Sequence, residues 1–357
     1  SLTNGAGDGS YRYAGGDYVL TEAGKSTGAT MMIGYNNTVT TTLIDFYCNG
    51  KKQYVGATCG ASLTHYYLIK GDTTQYQTYK ETLNKAVEKG YLTKDNVKNF
   101  VCFGSTVSPC PTENLYRIIG VFGNNVKLIK YDYGTTDELG TDGDYSKTYK
   151  EWGMNSTYKG TYGDGERIGV YYWNNTTQKN TWSESLLNKT NLNTNFINNI
   201  GEEWANKIAT TTWKVGGNIY QKIINTTMPI VFSNEITSPS QNATYNAKIG
   251  LMYVSDYGFA ASPDSWKNTM SSYTSVPLDN WMYMGFNEWT ITRNDSYSTS
   301  SYRVNSDGYV DENYVSSGET IFYYVTNEYA VRPSFYLESF VTYDSGSGTK
   351  SDPIRIK

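Results

Sequence analysis

Two β-rich runs around a tight turn constrain the fold of this chain more than any other feature of its sequence. Residues 115–122 read Leu-Tyr-Arg-Ile-Ile-Gly-Val-Phe, a Gly-Asn-Asn turn follows, and residues 126–131 read Val-Lys-Leu-Ile-Lys-Tyr. Branched and aromatic residues on both sides of a Gly-Asn pair predict an antiparallel hairpin. Val331–Val341 and Pro353–Ile356 are further strand candidates. The sequence therefore predicts a largely antiparallel β structure.

Helical periodicity is confined to a few segments. Apolar residues recur at nearly 3.6-residue spacing in Gln75–Lys89, and Gly90 follows as a candidate C-terminal cap. A second helical region covers residues 183–210, and we expect Gly201 and the many asparagines to break it in two. Trp266–Ser271 is a third, short candidate. Few helices beside a mostly β pattern predict an α+β fold.

The composition is aromatic and poor in charge. Of 357 residues, 35 are tyrosine and 15% are aromatic, whereas 18% are charged and the formal net charge is −4. Disordered chains are poor in aromatic residues, so this class is excluded. An acidic chain without a basic block lacks a surface that neutralises phosphates, so no nucleic-acid partner is expected. The longest apolar runs, such as 229–232 and 248–254, are too short to span a bilayer.

The four cysteines fall into two neighbouring pairs. Cys48 and Cys59 form one pair, and Cys102 and Cys110 form the other. Their even number and local spacing favour one disulfide in each pair, although the connectivity stays open and four reduced core cysteines are the alternative. Disulfides form in oxidising compartments, so we expect an extracellular or cell-surface location.

The sequence lacks the motifs of several large enzyme classes. The single histidine, His65, lies in a strand-like segment, and no Gly-x-Ser-x-Gly, His-Glu-x-x-His or phosphate-loop pattern occurs. Paired carboxylates can still form a glycosidase site. The candidate pairs are Asp142/Asp144, Glu202/Glu203 and Asp311/Glu312. Adjacent acids in polar segments are more often solvated surface, so we expect no enzymatic activity and assign no catalytic residue.

Calcium is the one cofactor that the sequence leaves open. Asp137, Asp142 and Asp144 lie in one segment and could supply oxygen ligands. The segment lacks the full EF-hand pattern, however, so the support for calcium is weak. No other cofactor is expected, and no metal ligand is assigned.

An aromatic and polar stretch in the C-terminal third carries the strongest indication of function. Between residues 257 and 317 regular patterning fades, and Trp, Tyr, Ser and Asn dominate, which predicts long irregular loops. Tyr and Trp give contact area at low entropic cost, and Ser and Asn form adaptable hydrogen bonds, as in recognition loops. For Trp281 and Trp289 core packing is favoured over ligand contact, whereas the tyrosines after residue 296 are expected to be exposed. The candidate ligand-binding residues near 281–329 are Tyr283, Asn287, Trp289, Arg293, Asn294, Tyr297, Tyr302, Asn305, Tyr309, Asn313 and Tyr314.

Several segments resemble a known family. Residues 99–104 (Asn-Phe-Val-Cys-Phe-Gly), 114–122, 249–260 and 331–337 (Val-Arg-Pro-Ser-Phe-Tyr-Leu) are similar to the C-type-lectin-like domain of surface and pilin-associated proteins from gut Firmicutes. That domain is distantly similar to formylglycine-generating enzymes and to the variable proteins of diversity-generating retroelements. The resemblance covers about 99–357 and implies a C-type-lectin-like fold with paired N- and C-terminal strands.

The resemblance also divides the chain. In the family, the segment matching 10–15 runs almost directly into the segment matching 99–104. Residues 16–98 are therefore predicted to be an inserted module in a domain formed by residues 1–15 and 99–357. The family further implies a prepilin-like helix ahead of residue 1.

Two departures limit what the resemblance implies. Formylglycine-generating enzymes use cysteines late in the domain, whereas this chain has none after Cys110. Calcium-dependent sugar-binding lectins carry Trp-Asn-Asp, and only Trp173-Asn174-Asn175 is similar here. Neither activity is therefore implied. In the retroelement-diversified relatives the variable, ligand-contacting residues lie late in the domain, and the matching region here is about 281–329.

Three functions remain open after the sequence is read. The first is a non-enzymatic, surface-displayed adhesin- or receptor-like protein that binds a host or bacterial surface protein or glycan, as a retroelement-diversified variable protein would. The second is a structural pilin-like or surface-assembly subunit whose tyrosines pack between copies in a filament. The third is a glycan-active enzyme with paired carboxylates in one cleft.

Overall fold

The computed structural model describes most of the chain from residue 97 onward and short strands before it. The described residues are 2–4, 10–15, 18–20, 29–35, 38–39, 46–48, 51–53, 64–69, 77–78, 92–94, 97–147, 160, 167–216, 223–261, 263–275, 280–316 and 328–357. For the strands within 2–4 and 18–94, the backbone alone is described. Many short strands and few short helices make up the described residues, which confirms the α+β class.

Short strands make up most of the regular structure. Numbered in chain order, they are β1 (Leu2–Asn4), β2 (Tyr11–Tyr13), β3 (Tyr18–Leu20), β4 (Ala29–Tyr35), β5 (Thr38–Val39), β6 (Phe46–Cys48), β7 (Lys51–Gln53), β8 (Thr64–Ile69), β9 (Gln77–Thr78), β10 (Leu92–Lys94), β11 (Phe100–Cys102), β12 (Leu115–Phe122), β13 (Asn125–Lys130), β14 (Thr211–Lys214), β15 (Thr244–Ala247), β16 (Ile249–Gly250), β17 (Glu288–Arg293), β18 (Ser300–Val304), β19 (Val310–Tyr314), β20 (Ser334–Tyr336), β21 (Tyr343–Ser345) and β22 (Arg355–Ile356).

The helices are short as well. The α-helices are α1 (Thr136–Leu139), α2 (Ile197–Ile200), α3 (Glu202–Ala205), α4 (Met228–Phe232) and α5 (Val254–Phe259). Helical turns of the 3₁₀ type lie at Thr112–Asn114, Trp182–Glu184, Pro263–Lys267 and Met270–Ser275, and π-helical segments lie at Leu187–Phe196 and Ser233–Thr237. Gly201, at φ 81°, separates α2 from α3, which confirms the predicted break.

A seven-stranded antiparallel sheet forms the centre of the fold. Its strand order is β1-β2-β12-β13-β20-β16, and β11 pairs with β12 beside β2. The β12–β13 hairpin that the sequence predicts lies in its middle. A bulge shifts the register between Ile118 and Gly120, where β2 approaches most closely. A Cβ atom on Gly120 would stand 2.2 Å from the carbonyl oxygen of Tyr11, so this crossing requires glycine.

The end of the chain returns to β11. The amide of Cys102 donates to the carbonyl of Ile354 at 2.9 Å, and the amide of Ile354 donates to the carbonyl of Phe100 at 2.8 Å. This last segment therefore runs parallel to β11 and brings the start and the end of residues 99–357 side by side. A strand is predicted at Val331–Val341, and β20 is the part of it that pairs with other strands. β20 begins after Pro333 because proline has no N–H to donate to a neighbouring strand.

One of the two predicted disulfides is confirmed. The sulfur atoms of Cys102 and Cys110 lie 2.00 Å apart, at a covalent distance. Cys48 lies in β6, and its predicted pairing with Cys59 falls outside the described residues.

Strands between residues 18 and 94 pair with one another. β3 pairs with β10, β6 with β7, and β4, β5, β8 and β9 form a four-stranded sheet. The prediction of a helix at Gln75–Lys89 is wrong at Gln77–Thr78. These two residues form β9 because they pair with β8. The other residues of the predicted helix lie outside the described ones. His65 lies in β8, as expected from its strand-like surroundings.

The two ends of this segment meet. A Cβ atom on Gly15 would lie 3.2 Å from Cγ2 of Val97, and β2 and β11 follow one another along the same edge of β12. An inserted module needs neighbouring entry and exit points, and this geometry supplies them. The division into residues 16–98 and the remainder stays a prediction.

The interior of the described chain is aromatic. The tryptophans exposed by at most 1% are Trp173, Trp182, Trp213, Trp281 and Trp289. Core packing is thus confirmed for Trp281 and Trp289. Tyrosines outside the C-terminal aromatic stretch pack there too, and the following are buried, or half-buried in the last case: Tyr116, Tyr131, Tyr253 and Tyr336.

The stretch between residues 257 and 317 contains a second sheet, so its predicted irregularity is wrong. β17, β18 and β19 form an antiparallel three-stranded sheet. β17 alternates polar and apolar residues over the short run from Glu288 to Thr292, and both faces of this run are buried. Its amides find distant partners: Trp289 donates to Ala330 and Ile291 donates to Met252, each at 3.0 Å.

Candidate ligand-binding surface

The turn between β17 and β18 is the most exposed part of the second sheet. Residues 296–299, Ser-Tyr-Ser-Thr, are all exposed, and Tyr297 has 58% of its surface open to solvent. Tyr314 ends β19 opposite Ser300 and is 48% exposed. Two tyrosine rings therefore flank one end of this sheet.

A buried amide joins this turn to a second exposed segment. The side chain of Asn180 donates from Nδ2 to the carbonyls of Asn294 at 2.6 Å, Tyr297 at 3.1 Å and Ser300 at 2.7 Å. Residues 175–179, which are mostly exposed, directly precede Asn180. The turn and this segment therefore lie side by side, although more than a hundred residues separate them in sequence.

Backbone hydrogen bonds connect the three exposed segments. Asn180 donates to the carbonyl of Ser298 at 2.7 Å, and Val315 donates to that of Thr299 at 2.9 Å. The amide of Asn174 donates to the carbonyl of Val315 at 3.0 Å. Loops held in this way are ordered before a ligand arrives, which reduces the entropic cost of binding.

We refer to residues 175–179, 296–299 and 313–314 together as the loop surface. Its side chains are Asn, Thr, Gln, Ser and Tyr, and Lys179 is its single charged residue. Aromatic rings among hydroxyl and amide groups suit contact with uncharged ligands through stacking and hydrogen bonds.

Asn174 shapes segment 175–179 from the protein interior. Its Nδ2 donates to Oγ1 of Thr177 at 2.8 Å and to the carbonyl of Lys179 at 2.9 Å. Gln178, between these two residues, has a φ of 55°, which is uncommon for a residue with a side chain. Such conformations persist where the surrounding structure fixes them, and they are frequent at binding sites.

The predicted ligand-binding residues divide between surface and interior. Tyr297 and Tyr314 are exposed, and Asn313 is half-exposed. Those that are half-buried are Asn287, Arg293 and Tyr309. Those that are buried are Tyr283, Trp289, Asn294, Tyr302 and Asn305. The expected exposure of the tyrosines after residue 296 is therefore wrong for Tyr302, whose ring packs in the core with Val304 and Val310.

Sequence reasoning missed segment 175–179. It is short, polar and distant in sequence from the aromatic stretch, so no local pattern indicates a shared surface. The Trp-Asn-Asn at 173–175, noted as a partial lectin motif, is the one sequence signal near it.

Two of the predicted acid pairs take part in structural contacts. Asp311 forms an ion pair with Arg303 at 2.7 Å, and Glu312 accepts a hydrogen bond from the side chain of Asn294. Burial raises the pKa of Glu312. Glu203 forms an exposed ion pair with Lys207 at 3.3 Å. These contacts join the carboxyl groups to other residues of the second sheet and of the segment around α3.

The Asp142/Asp144 pair is divided between surface and interior. Asp144 is buried and accepts the amides of Asn175 at 3.1 Å and Leu187 at 2.9 Å. Burial raises its pKa, although these hydrogen bonds oppose the shift. Asp142 is exposed and accepts from the side chain of Asn195 at 2.6 Å. Asp144 thereby anchors the base of segment 175–179.

The residues that the structure describes include no cluster of metal-ligating side chains. No group of three or more His, Cys, Asp or Glu side chains lies close enough there to hold an ion. Asp142 and Asp144, two of the calcium candidates, instead accept hydrogen bonds from protein amides.

A small cleft brings three carboxyl groups together elsewhere. Glu113, Asp137 and Glu138 line a cavity of about 300 Å³. Glu138 is occupied by the capping box of α1 with Thr135 and by an ion pair with Lys130 at 3.0 Å. Glu113 and Asp137 are exposed to water. The general acid of a glycosidase is enclosed by the protein, whereas the carboxyl groups of Glu113 and Asp137 are open to solvent.

Comparison with protein-family models, curated proteins and solved structures finds no match to the chain. Its function must therefore be argued from the site. Across the described ranges, every helix is too short or too polar to cross a bilayer.

Proposed function

We propose that this chain is a non-enzymatic, adhesin- or receptor-like protein that binds a surface protein or glycan through the loop surface. The observation that carries this proposal is the combination of exposed tyrosines with a fixed backbone. Tyr297, 58% exposed, lies in the turn whose carbonyls accept hydrogen bonds from the buried Asn180, and Tyr314, 48% exposed, lies on β19 opposite Ser300. Exposed aromatic groups on ordered loops are typical of recognition sites.

The ligand would be recognised with little contribution from charge. Tyrosine rings can stack on the faces of sugar rings or on apolar side chains, while Ser, Thr, Asn and Gln donate and accept hydrogen bonds. Because Lys179 is the one charged residue of the loop surface, binding should depend only weakly on salt.

The proposed fold is C-type-lectin-like, and the proposed location is extracellular. The pairing of β11 with the last segment of the chain supports the fold, since it joins the two ends of residues 99–357. The Cys102–Cys110 disulfide supports an oxidising compartment. The loop surface includes residues from the region that varies in retroelement-diversified proteins.

A glycan-and-protein array probed with the purified chain tests the proposal. Ligands found in this way would then be measured with Tyr297→Ala and Tyr314→Ala. We expect each change to raise Kd by roughly tenfold or more, as for aromatic residues that dominate an interface. Tyr343→Ala is the matched control, because Tyr343 is 61% exposed but lies on β21. All three variants should keep the melting temperature of the wild type.

Two results would count against the proposal. Equal affinity of wild type and both loop variants would place binding elsewhere. Self-association into filaments, with no ligand on the array and with assembly lost in the same variants, would instead support a structural subunit. Analytical ultracentrifugation of the purified chain separates these outcomes.

A further inference from the structure

Lys127 and Asp256 meet in the interior of the protein. Nζ of Lys127 donates to Oδ2 of Asp256 at 2.5 Å, and the two side chains are 0% and 1% exposed. Lys127 lies on β13, and Asp256 lies in the first turn of α5. The contact therefore joins the central sheet to a helix 129 residues away in sequence.

Aromatic rings enclose the lysine nitrogen. The distances from Nζ of Lys127 to the ring centroids are 4.4 Å for Tyr253, 5.1 Å for Trp213, 5.2 Å for Tyr336 and 5.8 Å for Phe122. Cation–π attraction stabilises an ammonium group in such a cage. The same rings exclude water, so a bond formed there is protected from hydrolysis.

A second buried carboxyl group lies at the same helix start. Glu235, 1% exposed, accepts the amides of Val254 at 3.0 Å and Ser255 at 2.9 Å. Asp256, the next residue, accepts the amide of Tyr253 at 2.9 Å. Burial raises the pKa of Glu235. The nearby charge of Asp256 adds to this rise, which favours the neutral form of Glu235.

We propose that the amine of Lys127 and the carboxyl group of Asp256 condense to an amide, which cross-links β13 to α5. A proton first passes from the ammonium to the carboxylate, leaving a neutral amine and a carboxylic acid. Nζ then attacks Cγ and a nitrogen–carbon bond forms. One Cγ–oxygen bond breaks, and that oxygen leaves as water with the acid proton and a second proton from nitrogen. No oxidant, reductant or other reactant is needed.

The geometry favours this reaction over a lasting ion pair. Cγ of Asp256 lies one carbon–oxygen bond beyond Oδ2, so the nitrogen already stands at about the 3–3.5 Å of a near-attack arrangement. A buried ion pair retains the desolvation cost of two charges. The amide carries neither charge, and the water released can leave the apolar site.

A second lysine–carboxylate pair on the same strand provides a matched control. Nζ of Lys130 lies 3.0 Å from Oε1 of Glu138, and it also donates to the carbonyl of Glu113 at 2.9 Å. The Glu138 side chain is 20% exposed and borders the small cleft. Because water reaches this pair, we expect it to remain an ion pair.

Intact-mass measurement of the reduced, denatured chain tests the proposal. The wild type should be lighter than its sequence by one water. Lys127→Met and Asp256→Ala should each restore the full mass, whereas Lys130→Met should keep the deficit. Fragmentation of a digest should yield one branched peptide that contains residues 127 and 256.

The wild-type mass alone can overturn the proposal, so the result does not depend on the variants folding. A folded, cooperatively melting wild type of full sequence mass would refute the cross-link. A missing water that persists in Lys127→Met, or that maps to another pair of residues, would refute it as well.

Discussion

The buried side chain of Asn180 stabilises the conformation of the turn between β17 and β18. Its amide is 5% exposed and reaches three carbonyl oxygens of the turn between β17 and β18. Without this donor, the carbonyl of Asn294 would lose a buried hydrogen bond, whereas those of Tyr297 and Ser300 would keep the backbone amides of Ser300 and Asn294 as partners. The lost hydrogen bonds would destabilise the turn. The shape of the turn therefore depends on a residue that lies outside it.

We expect Asn180→Ala to lower the free energy of unfolding by about 1–3 kcal/mol, because it removes the donor from buried acceptors. It should also weaken ligand binding, since the turn loses its fixed path. Urea denaturation and the ligand affinity measure the two effects. Asn198→Ala is the control, because Asn198 is an exposed asparagine whose loss should change stability by less than about 0.5 kcal/mol. Equal stability of both variants would contradict this role for Asn180.

The exposure of individual tyrosines was only partly predictable from the sequence. Tyr297 lies in a turn among serines, where nothing local could bury it, and the prediction of exposure is correct. Tyr302 lies among equally polar neighbours, but β18 directs its ring into the core. The local amino-acid composition does not determine the burial of a single side chain. Burial depends on which face of the strand packs against the rest of the protein.

At the level of elements, prediction succeeded where local pattern decides the structure. The β12–β13 hairpin follows from its turn and its branched residues. The helical region expected at 183–210 is confirmed as far as Ala205, but its longest segment, Leu187–Phe196, is a π-helix. β17 and β9 were missed because a short polar–apolar alternation and a two-residue strand give too little pattern to be recognised. The sequence predicted the part of the loop surface at 296–299 and 313–314. It did not predict segment 175–179, because that segment joins the others only through tertiary hydrogen bonds.

The N-terminus of α5 should make stability depend on pH. Burial raises the pKa of Glu235 above its ordinary value of 4.5. The folded state then holds this proton more tightly than the unfolded state, so stability is highest below the ordinary pKa and falls as pH rises through the raised one. We expect Glu235→Gln to make the decline in unfolding free energy above about pH 4.5 less steep.

Urea unfolding at several pH values measures this change in slope. Glu203→Gln is the matched control, because Glu203 is exposed and pairs only with Lys207 at the surface. Its pH profile should run parallel to that of the wild type. A parallel profile for Glu235→Gln would show that this carboxyl group titrates alike in both states.

Across the whole molecule, a chain with few charges places several of them inside. Arg12 and Arg332 are each 1% exposed. Arg332 forms two hydrogen bonds with the carboxylate of Glu288 at 2.7 and 2.9 Å, and Arg12 lies 4.8 Å from the centroid of the Phe122 ring. The outer surface is accordingly poorer in charge than the composition suggests, which agrees with recognition through aromatic and amide groups.

The meeting of Gly15 and Val97 leads to a prediction about the whole chain. If residues 16–96 are replaced by a short Gly-Ser linker, the seven-stranded sheet should still form, because β2 and β11 already lie along one edge of β12. We expect cooperative thermal unfolding and retained ligand binding. Circular dichroism and the affinity assay measure these properties. Loss of cooperative unfolding would show that the segment contributes to the core of the remaining chain.

The hydrogen bonds of Asn180 have a consequence for how this protein can change over time. They hold the turn by its backbone oxygens, which every amino acid carries, and by none of the side chains at 296–299. If the loop surface binds a ligand as proposed, substitutions there would alter its specificity while the loop keeps its path and the domain keeps its stability. A single scaffold could in this way support a population of chains with different specificities.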